Sequence, residues 1–255
     1  MSHFDTDLLD RLRVLTETAG AAILNIYGAD FVAREKADAS PVTDADEAAE
    51  AIILAGLREL TPGIPIVAEE SMARGEAPGT LGTRFWLVDP LDGTREFVSR
   101  NGEFTVNLGL IEDGRPILGL VQAPVLSELY LGVVGQGAWR WRQNSGPEAI
   151  GVRCCPEDGH DVLASRSHRD QATEDYLANV KCRSTVGAGS SLKFCRLAEG
   201  SADLYPRFGP TSEWDTAAGQ AVLVAAGGSV TDLDGRELTY GKPGFRNPAF
   251  IARGA

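Results

Sequence analysis

Asp89 and Asp92 stand three residues apart in WLVDPLDGTREF (86–97), where the strand-like run Trp86-Leu87-Val88 ends. Pro90 stiffens the turn between them and Gly93 permits it. Two carboxylates that close ionise together at neutral pH only with a cation between them; otherwise one pKa is driven up. Hard oxygen ligands with no Cys or His alongside suit Mg²⁺ or Mn²⁺, and the Leu91 carbonyl would add one more oxygen. Glu69, at the end of IPIVAEE, and Asp215, opening WDTAAGQAVLVAAGG, are further carboxylates for the same site. With three or four available, two ions roughly 3.5–4 Å apart would serve an in-line phosphoryl displacement. Backbone N–H groups of Gly93 and Thr94 would cradle the phosphate if a helix starts there.

Each feature also has a commonplace reading. Asp92-Gly93 is a frequent turn signal, and Asp215 would make an ordinary helix N-cap. TDAD reads as a capping box, with Thr43 capping and Asp46 at the third helical position. AEE before Ser71 is often just a solvated strand end.

The elements that must position these residues follow from periodicity. Leu8, Leu12, Leu15, Ala19, Ile23 and Ile26 recur at three- and four-residue steps, predicting a helix that stops at Gly28. A second helix begins near Ser40 and ends before Pro62; IPIVAEE is a short strand delivering Glu69 and Glu70 at its end. Residues 104–141 read as an antiparallel meander with turns at Asp113-Gly114, Pro124 and Gly135-Gln136-Gly137. The polar stretch 143–160 is the expected joint between an N-terminal half (1–150) and a C-terminal half (151–255) of one continuous domain. The second half predicts strands near 161–165, 203–207 and 228–233, and helices near 171–180, 190–200 and 214–226. A meander followed by mixed elements indicates layered α+β architecture.

Composition narrows the function. A chain of 255 residues with 43% hydrophobic content buries an ordinary globular core. The net charge of −12 argues against polymeric nucleic acid or anionic lipid as a general partner. A small anionic substrate stays open if metals reverse the local sign. No apolar run approaches the roughly 20 residues of a membrane helix, and the acidic N-terminus lacks a secretory pattern. Cys154, Cys155, Cys182 and Cys195 show no CxxC spacing, as expected of reduced thiols in a cytoplasmic protein. His3 and His160 have no second histidine at metal spacing, and Cys195 is expected to pack beside Leu192 and Ala198.

DPLDGT (89–94), WDTAAG (214–219) and AEE (68–70) resemble the signatures of the inositol monophosphatase superfamily of Mg²⁺-dependent, lithium-sensitive phosphatases. Within it, SPVTDAD (40–46), WLVDPLDGTREF, NGEFTVN (101–107) and GSSLKFCRLAEGSADLYPRFGPTSEWDTAAG (189–219) resemble the CysQ-type 3′(2′),5′-bisphosphate nucleotidases. The resemblance implies a layered αβαβα sandwich of the inositol monophosphatase and sugar phosphatase type. It also implies hydrolysis of adenosine 3′,5′-bisphosphate, a by-product of sulfate activation, to AMP and phosphate, with two or three Mg²⁺ ions and Mn²⁺ as the alternative.

Carried onto matching positions, Asp89 would bridge two metals. Glu69 and the Leu91 carbonyl would belong to the first, Asp92 and Asp215 to the second. Thr94 and Asp46 would orient and deprotonate a metal-activated water, with Glu70 orienting a water or a ligand. Glu69, Leu91, Asp92, Gly93, Thr94, Ser190, Lys193, Arg207, Asp215 and His168 would meet substrate, with Lys193 as a point charge for the remote phosphate, Arg207 as a planar donor to phosphate or base, and Tyr205 or Phe208 against the base. Without the resemblance, Lys193 reads as a solvated helix lysine and Arg207 as a surface charge. The runner-up is a phosphatase of the same superfamily acting on inositol or sugar phosphates. A catalytically silent binding protein is opposed by the presence of Asp46, Glu69, Asp89, Asp92, Thr94 and Asp215 together. The resemblance admits a homodimer as well as a monomer, and association of some members with the inner face of the membrane. Nothing amphipathic and basic in this chain calls for the latter.

Overall fold

The computed structural model describes residues 4–29, 31–32, 34–35, 41–143, 145–164 and 171–255. Helix α1 (Thr6–Tyr27) is capped by Asp5 and buries Leu12, Thr16, Ala19, Gly20 and Ile23 along one stripe. Full burial of a side chain such as Leu12 or Ile23 contributes about 1.5–3 kcal/mol. Gly28 closes the helix in the right-handed region, with φ −76°. A two-stranded ribbon of β1 (Arg34–Glu35) and β2 (Pro41–Val42) precedes α2 (Asp44–Leu60), which packs alongside α1.

A seven-stranded sheet follows in chain order. Its strands are β3 (Ile66–Ala68), β4 (Arg84–Asp92), β5 (Thr105–Glu112), β6 (Arg115–Ala123), β7 (Glu128–Val133), β8 (Gly137–Arg142) and β9 (Glu148–Ile150). Only the β3–β4 pair is parallel; the expected meander forms β5 to β8. Asp113 and Gly114 both take positive φ, as a tight hairpin turn requires. The expected joint at 143–160 contains β9, which still belongs to this sheet. Short helices α3 (Glu69–Ala73) and α4 (Thr94–Val98) open directly after β3 and β4.

The second sheet has the order β11-β10-β12-β14-β13, from β10 (His160–Ala164), β11 (Cys182–Gly187), β12 (Leu204–Arg207), β13 (Ser229–Asp232) and β14 (Phe250–Arg253). Helices α5 (Gln171–Leu177), α6 (Leu192–Ala198) and α7 (Ala217–Ala225) complete this half, with 3-10 turns at Glu213–Asp215 and Pro243–Phe245.

Helices α1 and α2 cover one face of the seven-stranded sheet, meeting Trp86, Val88, Leu108 and Leu120. α6 and α7 fill the space between the sheets. Tyr176 and Leu177 of α5 close the outer face over Val162, Leu204 and Ile251. The layers are therefore αβαβα, as the resemblance implied. β4 is covered on both faces, with Trp86 and Val88 in one cluster and Phe85 and Leu87 in another. That double burial explains the unalternating apolar run. Small residues set the spacing: a Cβ on Gly119 would lie 2.2 Å from the Ala218 carbonyl oxygen, so glycine lets α7 settle onto the sheet.

Two expectations change. Glu69 and Glu70 do not end a strand; they begin α3, because the chain turns after Ala68. The helix expected over 214–226 is broken at Thr216, so Asp215 closes a 3-10 turn instead of opening α7.

Candidate active site

The turn after β4 is shaped by a bulge. Asp89 pairs with Asn107 and Asp92 with Thr105, so three steps on β4 face two on β5. The Leu91 N–H donates to Asp89 Oδ1 at 3.1 Å, folding the backbone into an Asx-type turn. Gly93 takes φ 92°, and a Cβ there would lie 2.2 Å from Ser190 Oγ, so this position needs glycine twice over. Ser190 in turn donates to the Asp92 carbonyl at 2.7 Å, pinning the turn from the second half.

α4 starts at Thr94, whose hydroxyl lies 3.2 Å from Asp46 Oδ1 and 3.4 Å from the Leu91 carbonyl oxygen. Asp46 Oδ2 accepts from both the N–H and the hydroxyl of Thr43 at 2.8 Å. The capping box is real, and it also aims Asp46 at Thr94. The commonplace and functional readings coincide there. Glu69 is placed from α2: buried Glu50 accepts from the Glu70 N–H at 2.8 Å, the Ser71 hydroxyl at 2.8 Å and Arg74 at 3.1 Å. Ala68, at the cap position, supplies no side-chain acceptor, so Glu50 does that work from another helix. Asp215 Oδ2 accepts from the Ser212 N–H at 2.8 Å, closing its own capping box.

These elements surround a cleft of about 260 Å³. Of the residues chosen from sequence, Glu69, Asp92, Gly93, Thr94, Ser190, Lys193, Arg207 and Asp215 line it. Asp46, Asp89, Leu91 and Glu70 are buried and stand outside the lining. Tyr205 is in the wall, whereas Phe208 packs on Tyr176 with ring centroids 5.7 Å apart. His168 lies outside the described residues. The cleft also holds Arg95, Glu96 and Thr211, which no sequence signal singled out.

Lys193 is not the solvated lysine of the plain reading. It is 5% exposed, donates to the carbonyls of Ser190 at 2.7 Å and Ala188 at 3.2 Å, and stands 5.2 Å from the Tyr205 ring centroid. Burial pulls its pKa down to about 8 against the opposing pull of Asp92. Arg207 is half-buried; it donates to the Pro210 carbonyl at 3.2 Å, and its Nε is buried with no partner among the described residues.

The acidic side is under electrostatic load. Burial, with Glu96 adding to it, pushes Asp92 up to about 6, against Lys193, Ser191 and Asn107. Asp215 rises well above the ordinary carboxylate range through burial, then through the charges of Asp92 and Glu69. Directly across from Asp89 and Asp92, Asn107 Oδ1 and Thr105 Oγ1 are buried with no hydrogen-bond partner among the described residues. Crowded carboxylates beside orphaned acceptors fit a hydrated cation. Among the described residues no three His, Cys, Asp or Glu side chains close on one ion by themselves. Mg²⁺ does not need that, since it takes one or two carboxylates and fills its shell with water and phosphate oxygens.

A pH test follows from Asp92. Its folded pKa of about 6 exceeds the unfolded value of about 3.9, so the fold binds protons that the unfolded chain releases between those values. The metal-free protein therefore loses stability as pH rises through that window, and Mg²⁺ restores it once the proton has left. Thermal melts should show a larger Mg²⁺ stabilisation at pH 7 than at pH 5, with the difference diminished in Asp92→Asn. Equal stabilisation at both values would remove Asp92 from the metal site.

Comparison with known proteins shows the family and the fold. Residues 7–252 match the inositol monophosphatase family. The chain is 49% identical over 249 residues to the 3′(2′),5′-bisphosphate nucleotidase CysQ of Salmonella typhimurium, covering 95% of this chain and 98% of the relative. Its fold superimposes on the crystal structure of CysQ from Bacteroides thetaiotaomicron with a TM-score of 0.82 and 37% identity, covering 99% and 98% of the two chains. An inositol monophosphatase from Anabaena has a TM-score of 0.74 at 30% identity, over 97% of this chain and 92% of that one. No helix among the described residues is long and apolar enough to cross a membrane. This chain belongs to the inositol monophosphatase family.

Proposed function

We propose that this chain is a Mg²⁺-dependent 3′(2′),5′-bisphosphate nucleotidase that hydrolyses adenosine 3′,5′-bisphosphate to AMP and phosphate. The observation that carries the reading is the division of one cleft. Glu69, Asp92 and Asp215 crowd negative charge into it, while buried Lys193 and half-buried Arg207 supply positive charge. A substrate with two phosphates uses both groups; an inositol monophosphate uses only the first. The 49% identity to the Salmonella nucleotidase supports the same choice.

Asp89 would contact both ions, Glu69 and the Leu91 carbonyl one of them, Asp92 and Asp215 the other. Mg²⁺ bound there supplies Lewis acidity and balances the carboxylate charge. The chain's own residues do the rest. The Thr94 hydroxyl donates to Asp46 Oδ1, so its lone pairs are free to orient the attacking water. With Oδ2 already holding two donors, Oδ1 of Asp46 is where the water's proton arrives through Thr94. Gly93 and Thr94 bring backbone N–H groups to the wall beside the transferred phosphate. Ser190, Lys193, Arg207 and Tyr205 hold the nucleoside and its 5′-phosphate. A substrate made during sulfate activation would be met in the cytoplasm.

The deciding measurement is phosphate release from adenosine 3′,5′-bisphosphate and inositol 1-phosphate, side by side in Mg²⁺ and after EDTA treatment. The nucleotide should be preferred by about 10–100-fold in kcat/KM, the worth of one charge-assisted contact to the second phosphate. EDTA should remove both activities. Preference for inositol phosphate would transfer the mechanism to that substrate, and turnover surviving EDTA would sink the metal-dependent reading.

A further inference from the structure

We infer that Asn107 and Ser191 form a positioning bridge that holds Asp92 of the first sheet and Asp215 of the second half at the separation metal binding requires. The inference rests on the metal-dependent reading above. Asn107 is the third residue of β5, fully buried between Val106 and Leu108. A primary amide at such a place is costly unless bonded. Its Nδ2 donates to Ser191 Oγ at 3.0 Å and lies 3.3 Å from Asp92 Oδ2. Rotating the amide would set its oxygen against a carboxylate, so the partners fix the orientation. Ser191, also buried, passes the connection on by donating to the Asp215 carbonyl at 2.8 Å.

The result is one connected network of the Asp92 carboxylate, the Asn107 amide, the Ser191 hydroxyl and the Asp215 backbone, with Ser191 also acting on Asp92 directly. It joins β4, β5, the residue before α6 and the 3-10 turn Glu213–Asp215. Residues 84 positions apart in sequence meet at its centre. Asp92 and Asp215 stand on elements of different halves, and as ionised metal ligands they would repel each other. A neutral bridge opposes that without adding charge. Neither Asn107 nor Ser191 lines the cleft, which makes both positioning residues. Their removal should therefore weaken metal binding while leaving the contacts to nucleotide unchanged.

The test is calorimetric titration of Mg²⁺, without substrate, into the wild-type chain, Asn107→Ala, Ser191→Ala and the double variant. Melting in EDTA checks that each is folded. Each single change should raise the Mg²⁺ dissociation constant about tenfold, the low end for residues that orient metal ligands. The double variant should lose less than the sum of the singles, since both changes act on one hydrogen-bonded network. In turnover, the Mg²⁺ concentration for half-maximal rate should rise while the nucleotide KM stays put. Unchanged Mg²⁺ affinity in the singles, or additive losses in the double, would overturn the bridge, even if melting temperatures fall. Ser191→Ala deletes one atom and decides alone if Asn107→Ala does not fold. A wild-type chain that takes up no Mg²⁺ would instead bring down the nucleotidase reading, and the bridge with it.

Discussion

Asp89→Asn will lower phosphate release on the order of 10³-fold while leaving the fold intact. Asparagine has the same shape, and its carbonyl can still accept from the Leu91 N–H that Asp89 Oδ1 now holds at 3.1 Å. The turn therefore keeps its geometry and loses only the charge. Asp89 is 1% exposed, at the mouth of a bulge whose partner strand carries the orphaned acceptors of Asn107 and Thr105. If Asp89 holds metal as proposed, its charge is worth about 4 kcal/mol of stabilisation, and each 1.36 kcal/mol is a factor of ten in rate. The check is initial rate in saturating Mg²⁺ beside a thermal melt in EDTA. Melting at or above the wild-type temperature with activity lost is the expected pair, because the removed charge repels its neighbours when no metal is present. Activity within tenfold of wild type would exclude Asp89 from the metal set.

The sequence made this site partly legible because its chemistry is concentrated in two short turns. DPLDGT and WDTAAG each put a carboxylate, a small residue and a backbone constraint within six positions, and chance seldom does that. The core helices α1 and α2 were legible for an equally local reason, since one stripe of each is buried. What escaped depends on partners distant in the chain. Glu50 carries no local signal, yet it is buried and caps α3 twenty residues away. Asn107 has no local signal; an amide within a strand acquires meaning only when residue 191 arrives beside it. β11 was missed because Cys182 to Val186 are all exposed at a sheet edge, which erases both alternation and apolar content. Glu69 and Glu70 were read one element too early because a helix of five residues leaves no periodicity. Residue type alone reads Lys193 as solvated, as a lysine in isolation almost always is, and only the resemblance put it among the substrate contacts.

That buried lysine carries the second large effect. Lys193→Met should cut kcat/KM for adenosine 3′,5′-bisphosphate by about 10–100-fold and change inositol 1-phosphate turnover by less than about threefold. The ammonium already donates to the Ser190 and Ala188 carbonyls, which fixes it in the cleft wall with its remaining donor available to an anion. Methionine fills similar space without charge or donors. Leaving two carbonyls unpaired costs about 1–3 kcal/mol of stability each, but that loss is common to both substrates and cancels in their ratio. The pH profile supplies an independent reading. Burial holds the Lys193 pKa at about 8, so the cation is present below that value and lost as pH rises through it. For the wild-type chain, kcat/KM for the bisphosphate should fall above pH 8 more steeply than for inositol phosphate, and the excess fall should vanish in Lys193→Met. Equal losses on both substrates, with the pH difference retained, would mean that Lys193 serves only to hold the α6 entry and that the second phosphate is bound elsewhere.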